Sequence, residues 1–450
     1  MQSACTTGSR VIGSLILLTV FTFNTLAQDN SPWSRYGLGD AIPGSNIVNR
    51  AMGGAAAAYG DMQTINFINP ASYTLFGPQK AIFDIGLDIN NRTLRNNQGA
   101  SYTSSNAIIP YLAAGFQIRP QTSKINWGLA FGLRPITKVS YNISNISSFG
   151  ADSLITQYEG NGGTYQAFAG TAVGYKNFSV GINGGYRFGS KDYSTKVSLI
   201  NDSVPNRYTP GKKEVRNNFG SAFLELGVQQ RVKVNSKSSI TFGAYGSMQT
   251  SMRVTTDEVY ESFIIAGDGG ITSRIDSVSE RRNVKGAIQY PSYYGAGVMY
   301  DFQDKGKLMI LADYVRYNWG NYRYFGTSDA LQNSWQAKVG VQLLPILPTA
   351  QQQQRKSYWT RAIYRAGFNF TREPFLINNT NINSYGVTLG IGLPVTQYGL
   401  LEKLYRSHIV NVAVEFGQRA NRTAVLRENY FRLSLGFSLS DIWFIKRKYD

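Results

Sequence analysis

The stretch NYFRLSLGFSL, Asn429 to Leu439, alternates without a break. Phe431, Leu433, Leu435, Phe437 and Leu439 fall on one parity, and Arg432, Ser434 and Gly436 on the other. A two-residue period belongs to a strand, because successive side chains point to opposite faces. One face suits lipid and the other a polar interior, which is the pattern of a transmembrane β-barrel strand.

The same pattern recurs along the chain. In FDIGLDI, Phe83, Ile85, Leu87 and Ile89 share a face. In FSVGINGGYRF, Phe178, Val180, Ile182, Tyr186 and Phe188 oppose Ser179, Asn183 and Arg187. In SWQAKVGVQLL, Trp335, Val339, Val341 and Leu343 oppose Gln336, Lys338 and Gln342. The segments near 81–89, 108–118, 125–133, 165–176, 178–189, 220–230, 239–250, 292–302, 307–317, 334–344, 360–371, 382–393, 407–418 and 428–440 amount to about fourteen strands of about ten residues. The connections alternate in length. Long ones (90–107, 134–164, 190–219, 251–291) alternate with short ones (119–124, Asn177, 231–238, 303–306). Barrels of the outer membrane have long external loops and short periplasmic turns, and a sandwich has no reason to alternate this way. The polar stretch 345–359, with its QQQQ run, reads as a flexible turn on the short side.

Composition agrees. Gly supplies 46 of 450 residues, Tyr 29 and Phe 24, while charged residues are 16%. The apolar run VIGSLILLTVFTF at 11–23, preceded by Arg10 and followed by Thr25-Leu26-Ala27, reads as a secretory signal over 1–27. Cys5 lies within it, so the mature chain has neither disulfide nor thiolate ligand. The expected fold is all-β, an antiparallel transmembrane barrel over 81–440, with a tail at 441–450.

Residues 28–80 precede the first strand and contain NRAMGGAAAAYGDMQTINFINPASY, Asn49 to Tyr73. A barrel of about fourteen strands encloses a lumen too wide for its own side chains to fill. Small residues such as Gly53, Gly54 and Ala55 to Ala58 let a backbone lie close to a wall. Gly60-Asp61 and Asn69-Pro70 supply turns. This segment is expected to be a hatch folded into the lumen. The charged residues Arg187, Glu225, Asp313, Lys338, Arg361, Arg365, Glu415 and Arg432 take the polar parity and are expected to face the lumen as a paired network.

The motif Arg50-Ala51-Met52-Gly53-Gly54, with Asp61 and Asn69-Pro70-Ala71, resembles the N-terminal hatch of FadL-family outer-membrane channels. SPWSRYGLGD, Ser31 to Asp40, and WFIKRKYD, Trp443 to Asp450, resemble a FadL-like branch of Bacteroidota. The resemblance implies a fourteen-stranded plugged barrel, with Arg50, Gly53, Gly54, Asp61, Asn69 and Pro70 as hatch and gating residues. It implies passage of hydrophobic compounds sideways into the membrane. It also implies a second reading, because some barrels of that branch are non-transporting parts of secretion or assembly complexes. The chain departs from the typical transporter in the residues that precede Arg50.

Other chemistry is weakly represented. GGAAAAYG lacks the Lys-Ser/Thr of a phosphate loop. His408 is the lone histidine, shares parity with lipid-facing Val410, Val412 and Val414, and falls at the periplasmic end of its strand. That disfavours a third reading, a lipid hydrolase, and no enzyme activity is expected. Asp257, Glu258 and Glu261 lack calcium-loop spacing, and neither metal nor cofactor is expected. The formal charge is +18, or +17 without Arg10. Lys446, Arg447 and Lys448 would meet lipid head groups, and Arg253, Arg281 and Arg282 would meet surface glycolipid phosphates. Nucleic acid is not an expected partner of an exported barrel. Both termini are expected in the periplasm.

Overall fold

The computed structural model describes residues 30–77, 80–118, 124–149, 152–200, 209–266, 271–304, 306–345, 357–377, 380–395, 408–420 and 426–442. The signal-like segment, the QQQQ stretch and the basic tail therefore lie outside the described residues. No helix among the described residues is long and apolar enough to cross a membrane.

The strands, in order, are β1 (Asp40–Ala41), β2 (Lys80–Asn96), β3 (Ser101–Ile108), β4 (Leu112–Gln117), β5 (Ile125–Phe149), β6 (Asp152–Tyr175), β7 (Phe178–Ile200), β8 (Gly211–Lys233), β9 (Ser238–Ser247) and β10 (Thr250–Ala266). They continue as β11 (Ile271–Tyr290), β12 (Tyr293–Gln303), β13 (Lys307–Tyr317), β14 (Arg323–Tyr324), β15 (Thr327–Ser328), β16 (Ser334–Leu344), β17 (Ile363–Ile377), β18 (Thr380–Pro394), β19 (Ile409–Arg419) and β20 (Leu426–Ile442). All pairings are antiparallel, and β20 closes on β2 from Lys80↔Ile442 to Asn96↔Leu426. The result is a closed fourteen-strand barrel in which β3–β4, β9–β10 and β11–β12 each form one interrupted wall strand.

Parity follows the sequence. On β20, Phe437 and Leu439 are exposed while Ser434, Ser438 and Ser440 are buried. On β7, Val180, Ile182 and Tyr186 face out, and Asn183 and Arg187 are buried. Tyr175 and Phe178 stand exposed at the short-turn end, and Tyr165 stacks on Phe188 at the other. Aromatic side chains collect at membrane interfaces, so these mark the two rims.

The expected external loops are mostly strand. β5 and β6 stay paired out to Phe149↔Asp152, β7 and β8 out to Val197↔Gly211, and β10 and β11 out to Ala266↔Ile271. Bilayer thickness limits the lipid-facing stripe, not the hydrogen-bonded ladder. Ser, Thr, Tyr and Val continue that ladder into water. Asp257, Glu258 and Glu261 accordingly sit on β10 rather than in a loop, and Glu258 pairs with Lys213 at 2.7 Å.

The N-terminal segment runs inside this wall. A short helix, α1 (Ile47–Arg50), is capped by Asn46, whose side chain accepts from Asn49 N–H at 2.8 Å. A 3₁₀ turn, Pro70–Leu75, is capped in the same way by Asn69. Met52, Ala55, Ala57, Tyr59, Ile65 and Tyr73 are completely buried. The wall yields to them through its glycines. A Cβ on Gly243 would lie 1.9 Å from Ala57 O, and one on Gly367 would lie 2.1 Å from Gly53 N. Backbone approaches backbone here only because the wall has no side chain.

The described ends of the chain lie on opposite sides. Ile442 pairs with Lys80 at the short-turn end. Asn30 exchanges hydrogen bonds with Asn142 (2.9 and 3.1 Å), on the part of β5 that rises beyond the outer rim. The segment enters at the mouth and descends to β2.

Candidate functional site

The interior is a polar lumen wrapped around residues 31–77. Arg50 is nearly fully buried and pairs with Asp88 of β2. Its other nitrogens donate to Ser45 O (2.8 Å) and Pro43 O (2.6 Å), so one guanidinium ties the turn before α1 to the wall. Gly53 has φ +67° and donates its N–H to Thr388 Oγ1 at 2.9 Å. The left-handed backbone and the close wall both require glycine there. Gly54 also has a positive φ, but a Cβ there would meet only the Lys338 stem at 3.6 Å. Asn69 donates to Ala57 O (2.6 Å) and Val228 O (3.1 Å), and Pro70 lies against Gly181. Asp61 is half-buried and accepts from Tyr59 Oη at 3.3 Å.

The strand charges meet partners inside. Glu225 receives Arg187 Nη2 at 3.1 Å, Gln166 Nε2 at 3.1 Å and Tyr293 Oη at 2.7 Å, with Arg134 at 3.6 Å. Arg187 is sandwiched between the Phe223 and Tyr290 rings, 4.6 Å from each centroid. Asp313 accepts the N–H groups of Ala56 (2.6 Å) and Ala57 (2.7 Å), which turns the alanine run into an anion-capped bend. Lys338 stands opposite Asp313 in register and lines the lumen cavity. Arg365 donates to Gln342 (2.7 Å) and Asn411 (3.0 Å). Glu415 pairs with Arg432, which also donates to Asn90 at 2.6 Å.

Arg361 departs from its expected place. It ends a 3₁₀ turn, Tyr358–Arg361, below β17 and lies over the Tyr358 ring at 5.5 Å. The strand begins only at Ile363, so parity counted from 360 does not apply. His408 also lies just outside its strand, which starts at Ile409.

A second cluster is not legible in the sequence. Asp40 accepts from Arg419 (3.0 Å), Arg92 (3.2 Å) and Ser31 Oγ (3.1 Å). Both arginines also reach Glu428 at 3.5 Å, and Arg419 reaches Glu373 at 3.1 Å. Burial by itself would raise the Asp40 carboxyl, but Arg419 and Arg92 overcome it and hold the pKa at about 2.

This cluster anchors a repair in the wall. Pro110 interrupts the strand between β3 and β4, and a proline cannot donate to the ladder. β4 pairs with β5 over Leu112↔Leu133 to Gln117↔Gly128, whereas β3 pairs with β2. Above Leu133, the edge of β5 is taken instead by the N-terminal segment. Ile42 N–H reaches Ile136 O (2.9 Å), β1 pairs Asp40↔Lys138 and Ala41↔Thr137, and Ser31 N–H reaches Ser140 O (2.7 Å). A cavity of about 30 Å³ remains between this segment and Asn106 and Ile108 of β3.

Behind the seam lies a cavity of about 280 Å³. Six arginines and Lys338 face it, against five carboxylates, with Tyr245, Tyr290, Tyr293 and Tyr317 on one side. Most of these charges are paired with one another, and Leu38, Ile68, Leu331, Trp319 and Phe375 share the lining, so the cavity sets ion pairs beside apolar surface.

Several solved barrels share the fold. The Pseudomonas aeruginosa FadL homologue superposes with a TM-score of 0.52 at 12% identity, covering 90% of this chain and 99% of that one. The CymD monoaromatic hydrocarbon channel gives 0.51 at 13%, covering 89% and 99%. The P. putida toluene transporter TodX gives 0.51 at 14%, covering 90% and 100%. At these identities the likeness is one of fold, that of an outer-membrane barrel. A sequence search of curated proteins finds no match. The family model described as BamG matches residues 10–450, and the chain therefore belongs to the BamG family.

Proposed function

We propose that this protein is a plugged outer-membrane barrel that serves as a non-transporting subunit of a secretion or assembly complex. The observation that carries this reading is the seam. Where strand pairing between β3 and β5 lapses, residues 30–42 occupy the β5 edge, and the space behind them is lined by ion pairs. A lateral route for hydrocarbon would need an apolar path at this place. In this reading residues 28–80 are a permanent plug, and Gly53, Asn69 and Pro70 are packing residues rather than gates. The paired strands that rise from β5 to β11 beyond the rim would present a stiff surface to partner proteins.

A second reading remains because the fold is shared with proteins described as hydrocarbon channels. In it the protein passes hydrophobic small molecules once the N-terminal segment moves. Two measurements on one strain separate them: toluene uptake, and the yield of secreted and outer-membrane proteins after depletion of this chain. The subunit reading expects unchanged uptake, lowered protein export or assembly, and co-purification of partners in mild detergent. Lost uptake with normal export and assembly would overturn it.

A further inference from the structure

A second cavity, of about 290 Å³ and open on one side, lies above the plug at the outer mouth. We propose that it binds an acidic sugar, a polyhydroxylated ring bearing a carboxylate or phosphate. This inference does not depend on which role the barrel plays.

Hydroxyl groups without partners argue first. Tyr141, Tyr193 and Tyr322 line the cavity from β5, β7 and the β13–β16 connection. Tyr141 and Tyr322 are 7% and 3% exposed. Among the described residues none of the three phenol hydroxyls has a hydrogen-bond partner, nor has Thr195 Oγ1 beside them. These hydroxyls open onto the cavity, where water or a ligand supplies the partner, and a hydrocarbon guest would leave them unpaired. A sugar offers donors and acceptors on its rim and an apolar C–H face for the phenol rings.

The second argument is charge. Lys191 Nζ donates to Arg35 O and Gly37 O, two neutral carbonyls, and an ammonium has three donors. The Arg35 guanidinium lies over the Tyr158 ring at 4.6 Å. Among the described residues no carboxylate comes within ion-pair distance of either cation. Asp329, on the same wall, accepts Gly37 N–H at 3.1 Å. Two cations against this one carboxylate, which is itself engaged by Gly37 N–H, leave a net positive charge that favours an anion. The volume sits at the small end of ligand sites, which suits a single sugar unit.

The test is calorimetric titration of the full chain in nanodiscs with glucuronic acid, glucose and toluene. Glucuronate should bind saturably, with glucose at least about tenfold weaker, since a charge-assisted hydrogen bond is the stronger kind. Arg35→Gln should weaken glucuronate by about tenfold and leave glucose unchanged. Tyr193→Phe removes one hydroxyl from a folded wall and should weaken both sugars by about fivefold. Nanodiscs with lipopolysaccharide separate the sources. Competition with glucuronate identifies a surface glycolipid as the natural ligand, and lack of competition identifies a free or secreted acidic glycan. No saturable glucuronate binding, equal binding of glucose, tighter binding of toluene, or indifference to both substitutions would each overturn the proposal and leave a water-filled vestibule.

Discussion

Asp40→Asn is the substitution that most directly probes the seam. The change keeps the shape of the side chain and removes its charge. Asp40 is 9% exposed and receives Arg419 at 3.0 Å and Arg92 at 3.2 Å. Breaking a buried ion pair by removing one partner costs about 3–5 kcal/mol. Here the orphaned arginines keep Glu428 and Glu373, so the loss should be smaller, about 1–3 kcal/mol. If the loss falls on docking of residues 30–42, their amides should exchange with solvent about 5- to 150-fold faster. Hydrogen exchange in nanodiscs, read on peptides covering 31–44 and on β2 as the internal control, measures this. The pH dependence has a fixed sign. The folded-state pKa of about 2 lies below the ordinary carboxylate value, so the Asp40 contribution is complete above about pH 4. It is lost as pH falls from there through about 2. At neutral pH the wild-type segment should stay docked, and only strong acid should make it exchange as the variant does. Unchanged exchange over 31–44 in the variant at about pH 7 would refute the idea that this cluster holds the seam.

Gly243→Ala and Gly367→Ala should each loosen the plug by about 1–3 kcal/mol, because the added Cβ meets plug backbone at 1.9 and 2.1 Å; Gly211→Ala, with open space around it, should be neutral, and bilayer conductance together with thermal melting reads the difference. Glu225→Gln should lower the temperature at which the barrel unfolds on gels, at a cost of about 3–5 kcal/mol, by leaving Arg187 and Arg134 buried without a carboxylate; an unchanged melting temperature would show that the cavity hydrates them instead. Burial, only partly opposed by Asp329 and joined by Arg35, lowers Lys191 to about 8, so its reaction with an amine-acylating reagent should titrate near that pH while exposed lysines titrate at about 10.4; a midpoint above about 10 would contradict this environment.

Local periodicity makes the wall legible. Each strand meets lipid on one side, so parity is written residue by residue, and Arg187, Glu225 and Arg432 can be assigned from their own neighbours in sequence. The seam cannot. Asp40 lies 52 residues from Arg92 and 379 from Arg419, and no short pattern links them. The height of the outer hairpins escapes a reading that ends each strand at the lipid thickness, because nothing in the ladder from Thr164 to Asp152 stops at the rim. Arg361 escapes parity because Tyr358–Arg361 forms a 3₁₀ turn in front of a strand that starts later.

The glycines of the wall and the small residues of the plug specify one another. Neither set has a reason within its own strand or turn. Gly243 weakens a strand, as any glycine does, and the Ala55–Ala58 run buries little apolar surface. Together they bring Ala57 O to the wall and aim the Ala56 and Ala57 N–H groups at Asp313. Gln229 of the wall donates to the backbone carbonyls of Ala57 and Tyr59 (3.0 and 3.2 Å), while Asn66 and Asn69 of the plug itself brace Ala56 O and Ala57 O (2.7 and 2.6 Å). A plug made to leave the lumen easily would meet the wall through side chains, where contacts part without exposing backbone. This one meets it through main-chain groups that would each need a new partner on leaving, at about 1–3 kcal/mol for every group left bare. Displacing the bend at Ala56–Ala57 therefore releases several such groups at once, whereas residues 30–42 meet the wall largely through side chains, the Asp40 carboxylate and the buried Trp33 and Leu38, beside a short ladder. If any part of the segment moves in function, it should be the seam first. Cross-linking Ala41 to Thr137, cross-strand partners in the seam, through paired cysteines should then freeze whatever motion exists.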